Sequence, residues 1–205
     1  MDDLFADRPD PQPVVATRTT YAGLVWDVHR DRVDLGAAGI VERDLIAHPG
    51  AVAVLAIDDD DRIALVQQYR HPIGWRSWEI PAGLRDVADE PLLDCARREL
   101  AEEADLIAAD FSVLIDYFTT PGFTSEAIRI FLARGLTQVP QEERHTRTAE
   151  EAGMPLRWVA LDEAHAAVLA GRLHNPHTVI AVLSAHALRA DGWRGLRPLD
   201  TPWLR

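Results

Sequence analysis

The stretch GLRDVADEPLLDCARRELAEEADL, residues 83–106, decides the fold of this chain. Its second part, residues 91–104, carries the longest helical pattern in the sequence. On that helix Glu99, Glu102 and Glu103 fall at positions i, i+3 and i+4, so the carboxylates share one face. Such a face is either solvated or holds hard divalent cations, because Mg²⁺ prefers oxygen ligands. The cluster alone does not decide between these two interpretations.

Segments with strand patterns lie on both sides of the helix. Before it lie residues 21–46, AVAVLAI (51–57), RIALVQQYR (62–70) and SWEIPAGL (77–84), the last a short strand that ends at Pro81 and runs into a glycine loop. After it lie FSVLIDYF (111–118), EAIRIFLAR (126–134) and PLRWVAL (155–161). Residues 137–153 are polar and acidic without periodicity, which predicts a long functional loop. Asp162 is predicted to cap the next helix, and Asn175-Pro176 to start another. Strands and helices do not alternate regularly, which predicts an α+β fold.

The composition argues against several classes of function. The 205 residues carry a formal net charge of −12 at pH 7, which argues against a nucleic-acid binder or a protein of anionic membrane surfaces, since both usually carry clustered Lys and Arg. A phosphate-bearing substrate would be repelled unless cations intervened, so bound metal is expected. The single cysteine, Cys95, lies in a helical pattern, where a packing role is expected. Without a signal-peptide pattern or an apolar run of about 18 residues, we expect a soluble, cytoplasmic protein.

The array around the acidic helix resembles the Nudix box. The consensus of that family is Gly-x5-Glu-x7-Arg-Glu-U-x-Glu-Glu-x-Gly-U, in which U is an aliphatic residue. The residues that match in spacing are Glu90, Arg98, Glu99, Leu100, Glu102, Glu103 and Leu106. Two features depart from it: six residues separate Gly83 from Glu90, and Asp105 replaces the second glycine. Aspartate tolerates the left-handed conformation expected there better than most residues, so only a small loss of stability is expected.

The sequence outside the box resembles the ADP-ribose pyrophosphatase branch of the family, in its actinobacterial type. The resemblance includes QQYRHPIGWRSWEIPAGL (67–84), Pro121 fifteen residues beyond Leu106 and, loosely, residues 176–188 and 197–203, so it covers most of the chain. It implies a Nudix-like α/β/α sandwich around a mixed sheet, with an N-terminal antiparallel strand segment. The implied activity is Mg²⁺-dependent hydrolysis of ADP-ribose to AMP and ribose 5-phosphate, with Mn²⁺ as an alternative cofactor.

The resemblance also implies roles for the residues of the box. The implied metal ligands are three carboxylates and one backbone carbonyl, from Glu99, Glu103, Glu102 and Ala82. The residues implied to hold loop and helix in register are Gly83, Glu90 and Arg98. A catalytic base is implied to come from the acidic loop, which offers Glu142, Glu143, Glu150 and Glu151. We favour Glu151, then Glu150, and include Glu102 among the catalytic candidates; a solvated acidic loop is the alternative.

Substrate recognition is predicted from four residues outside the helix. Arg70 is placed to meet a phosphate or ribose, Glu79 or Glu126 to accept ribose hydroxyls, and Phe123 to stack on the base. Trp75 is a second candidate for stacking, with a core or interface position as the structural alternative for each of these residues. His174 and His177 are expected to have capping or surface roles, since no third ligand has zinc-binding spacing.

The chain is predicted to have three parts. Residues 1–15 are expected to be a flexible tail, since three prolines block regular pairing. Residues 16–48 are expected to form a β segment that mediates a homodimer and contributes to the partner's substrate site, as the resemblance implies. Residues 49–205 are expected to be the hydrolase domain. The alternatives are a hydrolase of another nucleoside-diphosphate sugar or dinucleotide, and a non-catalytic nucleotide-binding module, which would have lost its metal-binding glutamates.

Overall fold

The computed structural model describes residues 5–147 and 153–204. Within them the chain divides into two compact units. The first comprises residues 5–48 together with residues 120–126, and the second comprises residues 49–119 together with the described residues from 127 onward. The acidic helix and its box lie in the second unit.

The first unit is a three-stranded antiparallel sheet. Its strands are β1 (Val14–Tyr21), β2 (Asp27–Asp34) and β3 (Ile40–Ala47), in that spatial order. Residues 120–126 pair with the end of β3, where the Ile46 amide donates to the Phe123 carbonyl at 2.8 Å and the Ser125 amide donates to the Ile46 carbonyl at 3.1 Å. Among residues 5–147 and 153–204, regular structure therefore begins at Val14, inside the range expected to be a tail.

The second unit contains two sheets and three helices. One sheet consists of β4 (Ala51–Ala56), β7 (Ala82–Leu84), β8 (Leu106–Phe118) and β9 (Ala127–Gln138). The other consists of β5 (Arg62–Arg70), β6 (Trp75–Glu79) and β10 (Leu156–Ala160). The helices are α1 (Leu92–Ala104), α2 (Leu161–Leu169) and α3 (Pro176–Ala190). None of the helices in the described residues has the length and hydropathy needed to cross a membrane.

The four-stranded sheet is mixed and is covered by helices on both faces. Its order is β7-β4-β9-β8, and β4 runs parallel to β9 while the other pairs are antiparallel. Successive side chains of a strand point to opposite faces. Val52 and Val54 of β4 pack in one cluster with Leu100 of α1, whereas Leu55 packs in another with Val182 of α3. This arrangement confirms the α+β fold and the α/β/α sandwich.

Two strand boundaries differ from the sequence prediction. The strand predicted to end at Pro81 ends at Glu79, and Ala82–Leu84, predicted to lie in a glycine loop, form strand β7. Pro81 lies between the two strands, where it lacks the amide hydrogen that a continuous ladder requires. Strand β8 starts at Leu106, five residues before the predicted start at residue 111, because the chain enters the strand directly after the end of α1.

The two predicted helix caps have different outcomes. Asn175 caps α3, since its side chain accepts a hydrogen bond from the Thr178 amide at 3.1 Å, as predicted. The prediction for α2 is wrong: the helix begins at Leu161, and Asp162 lies in its first turn rather than before it. The Asp162 carboxylate instead accepts a hydrogen bond from Arg189 of α3. The Asp162 carboxylate, which was expected to accept hydrogen bonds from the helix backbone, is thus bound to the guanidinium of Arg189.

Candidate active site

Helix α1 packs its apolar side against the sheet and carries acidic residues along the border of that side. Cys95 and Leu100 are fully buried, while Glu99 and Glu103 are only 9% and 5% exposed. Carboxylates buried to this extent are stable only with hydrogen-bond or charge partners. The packing role predicted for Cys95 is confirmed, and burial raises the pKa of its thiol to about 12, so it stays protonated.

The partner of Glu103 is the backbone of strand β7, which precedes the helix in the chain. Its Oε2 atom accepts a hydrogen bond from the Ala82 amide at 2.9 Å. Ala82 is the first residue of β7, which pairs with the central strand β4. The contact therefore ties the C-terminal turn of α1 to the edge of the sheet, and it brings Ala82, one of the predicted metal ligands, beside a second one.

Gly83 is required because the carboxylate of Glu99 lies against its backbone. A Cβ atom built on Gly83 would stand 1.9 Å from the Glu99 Cδ atom and 2.0 Å from its Oε1 atom. No side chain fits at such distances unless the carboxylate moves. Gly83 is thus required because it has no side chain, and not because its backbone adopts a conformation that other residues avoid.

Arg98 joins the loop before α1 to the acidic side chains of the helix. Its Nε and NH2 atoms donate to the two carboxylate oxygens of Glu90 at 3.0 and 2.9 Å. Its NH1 atom donates to Glu99 at 2.5 Å and to Glu102 at 3.3 Å. The hydrogen bonds from Arg98 lower the pKa of Glu90. One guanidinium therefore offsets the repulsion among three carboxylates and holds the loop against the helix.

Burial raises the pKa of Glu99 above its ordinary value, while Arg98 partly opposes that rise. The nearby negative charges of Glu102 and Asp86 raise the pKa further. A carboxylate that is destabilised by burial and by like charges is one that a cation would stabilise.

The chemistry of these residues fits a divalent cation. Within residues 5–147 and 153–204, no three acidic, histidine or cysteine side chains are arranged to enclose a metal. Glu99 and Glu103 are instead directed at protein donors, Arg98 and the Ala82 amide. Both carboxylates are nevertheless buried and lie one helical turn apart. The Glu99 carboxylate occupies the space that a side chain at position 83 would take. Carboxylates are the donor set that Mg²⁺ and Mn²⁺ prefer.

A second charged pair joins the antiparallel strands β5 and β6, in which the Arg70 side chain reaches back from the end of β5 to Glu79 of β6. Arg70 donates to Glu79 through its Nε atom at 3.0 Å and its NH2 atom at 2.6 Å. Glu79 is 1% exposed, whereas the Arg70 side chain is 38% exposed. The two residues predicted to bind substrate are thus neighbours, and Glu79 fixes the direction of the accessible guanidinium.

His177 at the start of α3 is bonded to the Tyr117 hydroxyl of β8. The surface or capping role expected for this histidine is wrong, because the fold of α3 onto β8 directs its ring inward. Burial lowers the pKa of His177 to about 4, and the positive charge of Arg70 acts in the same direction. The imidazole is therefore neutral at pH 7.

We expect the folded state to lose stability as the pH falls from about 6.5 to about 4, the ordinary and folded pKa values of His177. In this range the unfolded chain binds a proton that the folded state excludes, which costs at most about 3 kcal/mol. Urea unfolding across this range should show a shallower pH dependence for His177→Asn. The exposed His145→Asn variant is the matched control and should retain the wild-type slope; equal slopes in all three proteins would contradict the assignment.

The first unit contains a cleft of its own with aromatic walls. Its volume is about 200 Å³, and its lining residues are Trp26, Ile46, His48, Thr120, Phe123, Thr124 and Glu126. Trp26 and Phe123 are 46% and 53% exposed. The His48 Nε2 atom lies 3.4 Å from the Glu126 Oε1 atom. Phe123 and Glu126, both predicted to bind substrate, are therefore brought together in one cleft that is lined by aromatic and polar side chains.

Two of the predicted site residues lie outside the residues that the structure describes, and the sequence did not indicate some residues that line the candidate sites. Glu150 and Glu151, the favoured candidates for the catalytic base, lie outside the described residues. Sequence reasoning missed Trp26 and His48, which no local spacing connects to residues 120–126. It also missed the environment of His177, since only the packing of α3 on β8 creates it.

Comparison with known proteins identifies the family of the chain. The model of the NUDIX domain matches residues 47–180. The ADP-ribose pyrophosphatase of Mycobacterium tuberculosis is 43% identical over 93% of this chain and 90% of its own. The methanol dehydrogenase activator of Bacillus methanolicus is 34% identical over 89% of this chain and 94% of its own. A crystal structure of an ADP compounds hydrolase superposes with a TM-score of 0.73 and 18% identity, over 91% and 99% of the two chains. The chain belongs to the Nudix hydrolase family, whose members generally require a divalent metal ion.

Proposed function

We propose that this protein hydrolyses the diphosphate bond of ADP-ribose to AMP and ribose 5-phosphate, with Mg²⁺ as its cation and Mn²⁺ as a substitute. The observation that carries the proposal is the similarity to the mycobacterial ADP-ribose pyrophosphatase, which extends over nearly the whole of both chains. The buried carboxylates of α1 support the same proposal, because cleavage of a diphosphate requires cations to offset its charge.

Each box residue has a proposed task. The carboxylates of Glu99, Glu102 and Glu103 and the carbonyl of Ala82 would hold the cations. When bound, the cations neutralise the diphosphate and lower the pKa of the attacking water. Gly83 keeps the loop close to Glu99, and the Arg98–Glu90 pair holds the loop against α1. A glutamate of the acidic loop, Glu151 or else Glu150, is proposed to accept the proton of the water.

Recognition of the substrate is proposed for the residues that offer directed polar groups or exposed rings. The Arg70 guanidinium, held by Glu79, matches a phosphate or ribose oxygen. Phe123 offers an exposed ring to the base, and Glu126 accepts hydrogen bonds from ribose hydroxyls. Trp26, on the same cleft as Phe123, is a further stacking surface.

A regulatory role is the second candidate, since one relative is named as an activator of methanol dehydrogenase. Release of AMP from ADP-ribose should be measured with Mg²⁺, beside a panel of other nucleoside-diphosphate sugars and dinucleotides. Preferential cleavage of ADP-ribose that stops with a chelator supports the proposal. Preferential cleavage of another compound would replace the substrate, and no cleavage by the folded protein would favour the regulatory role.

We further propose that the protein is a homodimer formed through its first unit. All eight residues of β1 are exposed, and apolar side chains at Val14, Val15, Tyr21 and Leu24 face solvent. A three-stranded sheet with exposed apolar groups is the kind of surface that a second copy would bury. The cytoplasmic location expected from the single cysteine remains a prediction.

Light scattering is expected to give a mass twice that of the 22.8 kDa chain. The double substitution Val15→Glu and Leu24→Glu should shift the mass to that of one chain, because charged groups resist burial in an apolar interface. Leu169→Glu, at a position 70% exposed on α2, is the matched control and should leave the dimer intact. A wild-type mass of one chain would refute the dimer.

A further inference from the structure

The end of α1 is bound to the acidic loop through Asp105 and Arg147. The NH2 atom of Arg147 lies 2.8 Å from the Asp105 Oδ2 atom, and its Nε atom donates to the Glu102 carbonyl at 2.8 Å. The Asp105 carbonyl also accepts a hydrogen bond from the Val139 amide at 2.9 Å. Both ends of residues 139–147 are thus attached to the last turn of α1.

Asp105 is the residue that replaces the second glycine of the box. Its φ and ψ of 55° and 35° lie in the left-handed region, as the sequence predicted. Glycine is the residue best suited to that conformation, and other residues adopt it at a cost in stability. Glycine also has no carboxylate for Arg147 to bind. The structure therefore gives the replacement a role that its backbone conformation does not explain.

The pair is well placed to act on the carboxylates of the helix. The side chains of Arg147 and Asp105 are 21% and 18% exposed, so solvent screens their attraction only in part. Arg147 binds the carbonyl of Glu102 itself, and Glu103 is the next residue in the same turn. The carboxylate of Glu103 accepts a hydrogen bond from the Ala82 amide. The turn is thus held from the acidic loop and from the sheet edge.

We propose that Asp105 and Arg147 form a clamp that positions Glu102 and Glu103 for divalent metal binding. Both are positioning residues, since they act through the helical turn that carries the carboxylates. The inference rests on the proposed metal-dependent function. Outer partners of metal ligands typically change metal affinity or activity by about 10- to 100-fold, and a contact through the backbone should act at the lower end of this range.

The test compares Asp105→Gly, Asp105→Asn, Arg147→Gln and the double variant Asp105→Asn/Arg147→Gln. The measurements are the dissociation constant for Mn²⁺ without substrate, kcat and KM for ADP-ribose, and thermal unfolding. Each single variant should weaken Mn²⁺ binding about tenfold and lower kcat about tenfold, with KM within about twofold of wild type. The double variant should be no worse than the more affected single variant, because both remove the same contact.

Asp105→Gly separates a positioning role from a structural one. Glycine adopts the left-handed conformation without steric cost. The unfolding temperature of Asp105→Gly should therefore be at least that of Asp105→Asn, while its Mn²⁺ affinity remains weakened. Two controls match these changes. Arg144→Gln is the control for Arg147→Gln, because Arg144 lies in the same loop but donates to Val139 and Gln138 instead of α1. Asp89→Gly is the control for Asp105→Gly, because it also replaces an aspartate of positive φ, here 60°, with glycine.

The clamp is overturned if Asp105→Gly keeps wild-type Mn²⁺ affinity and kcat, or if Arg147→Gln behaves like Arg144→Gln. Failure of the proposed function would appear differently. If the wild-type protein does not cleave ADP-ribose, the Mn²⁺ dissociation constants still decide whether the clamp positions the carboxylates.

Discussion

Replacing Glu103 with Gln is expected to lower kcat for ADP-ribose about a thousandfold, which corresponds to about 4 kcal/mol of transition-state stabilisation. The reason is that glutamine removes one negative charge from the proposed cation site but keeps the shape of the side chain. Its amide oxygen can still accept the hydrogen bond from the Ala82 amide, so the loop and α1 stay connected. The unfolding temperature should therefore change little while activity and Mn²⁺ affinity fall together.

Glu163→Gln is the matched control for that substitution. Glu163 is an exposed residue of α2 to which no role is assigned. Its Oε1 atom lies 3.6 Å from the NH2 atom of Arg157. It should retain wild-type kcat and Mn²⁺ affinity, because an exposed ion pair of this kind contributes little. A kcat within about threefold of wild type for Glu103→Gln would remove Glu103 from the metal site.

Replacing Gly83 with Ala is expected to damage both stability and activity. The new Cβ atom would lie 1.9 Å from Cδ and 2.4 Å from Oε2 of Glu99, so the carboxylate must leave its position. Overpacking of this kind typically costs about 1–3 kcal/mol, or roughly 2–10 °C in unfolding temperature for a chain of this size. Displacement of a proposed metal ligand should lower kcat about a hundredfold.

A double substitution tests whether the carboxylate of Glu99 is the cause. Combining Gly83→Ala with Glu99→Ala removes the atoms that the new methyl group would meet, so the unfolding temperature should recover while activity stays low. Gly122→Ala is the matched control for stability, because no atom lies within 4 Å of the Cβ built there. If the double variant is no more stable than Gly83→Ala, then the clash with Glu99 is not what destabilises the protein.

The local parts of the fold and site were accessible from the sequence. The order of the carboxylates on α1 follows from their spacing, because an α-helix repeats every 3.6 residues. The burial of β4 follows from its unbroken apolar run, and the cap of α3 follows from Asn175 before Pro176. Asp105 in the left-handed conformation was likewise predictable from its place after the helix. Each of these features depends on residues within a few positions of one another.

The contacts that complete the site join segments that are distant in sequence. No local pattern indicates that Glu103 accepts from Ala82, 21 residues earlier, or that Arg147 binds the end of α1, 45 residues from Glu102. The same holds for Trp26 and His48 beside residues 120–126. The prediction that Asp162 caps α2 was wrong because the helix begins at Leu161, directly after β10, and the Asp162 carboxylate instead accepts from Arg189, 27 residues away.

The α+β class and the face of α1 on which the carboxylates lie follow from spacing and periodicity, which are properties of the chain alone, and the resemblance of residues 83–106 to the Nudix box indicated the family. Which donors those carboxylates meet, and why Gly83 must be glycine, depends on the tertiary structure. The tertiary structure also decided that Asp105 has a partner in Arg147. The physical reason is that burial and hydrogen bonding depend on which distant segments the packed sheet brings within contact distance, and a one-dimensional pattern does not specify those neighbours.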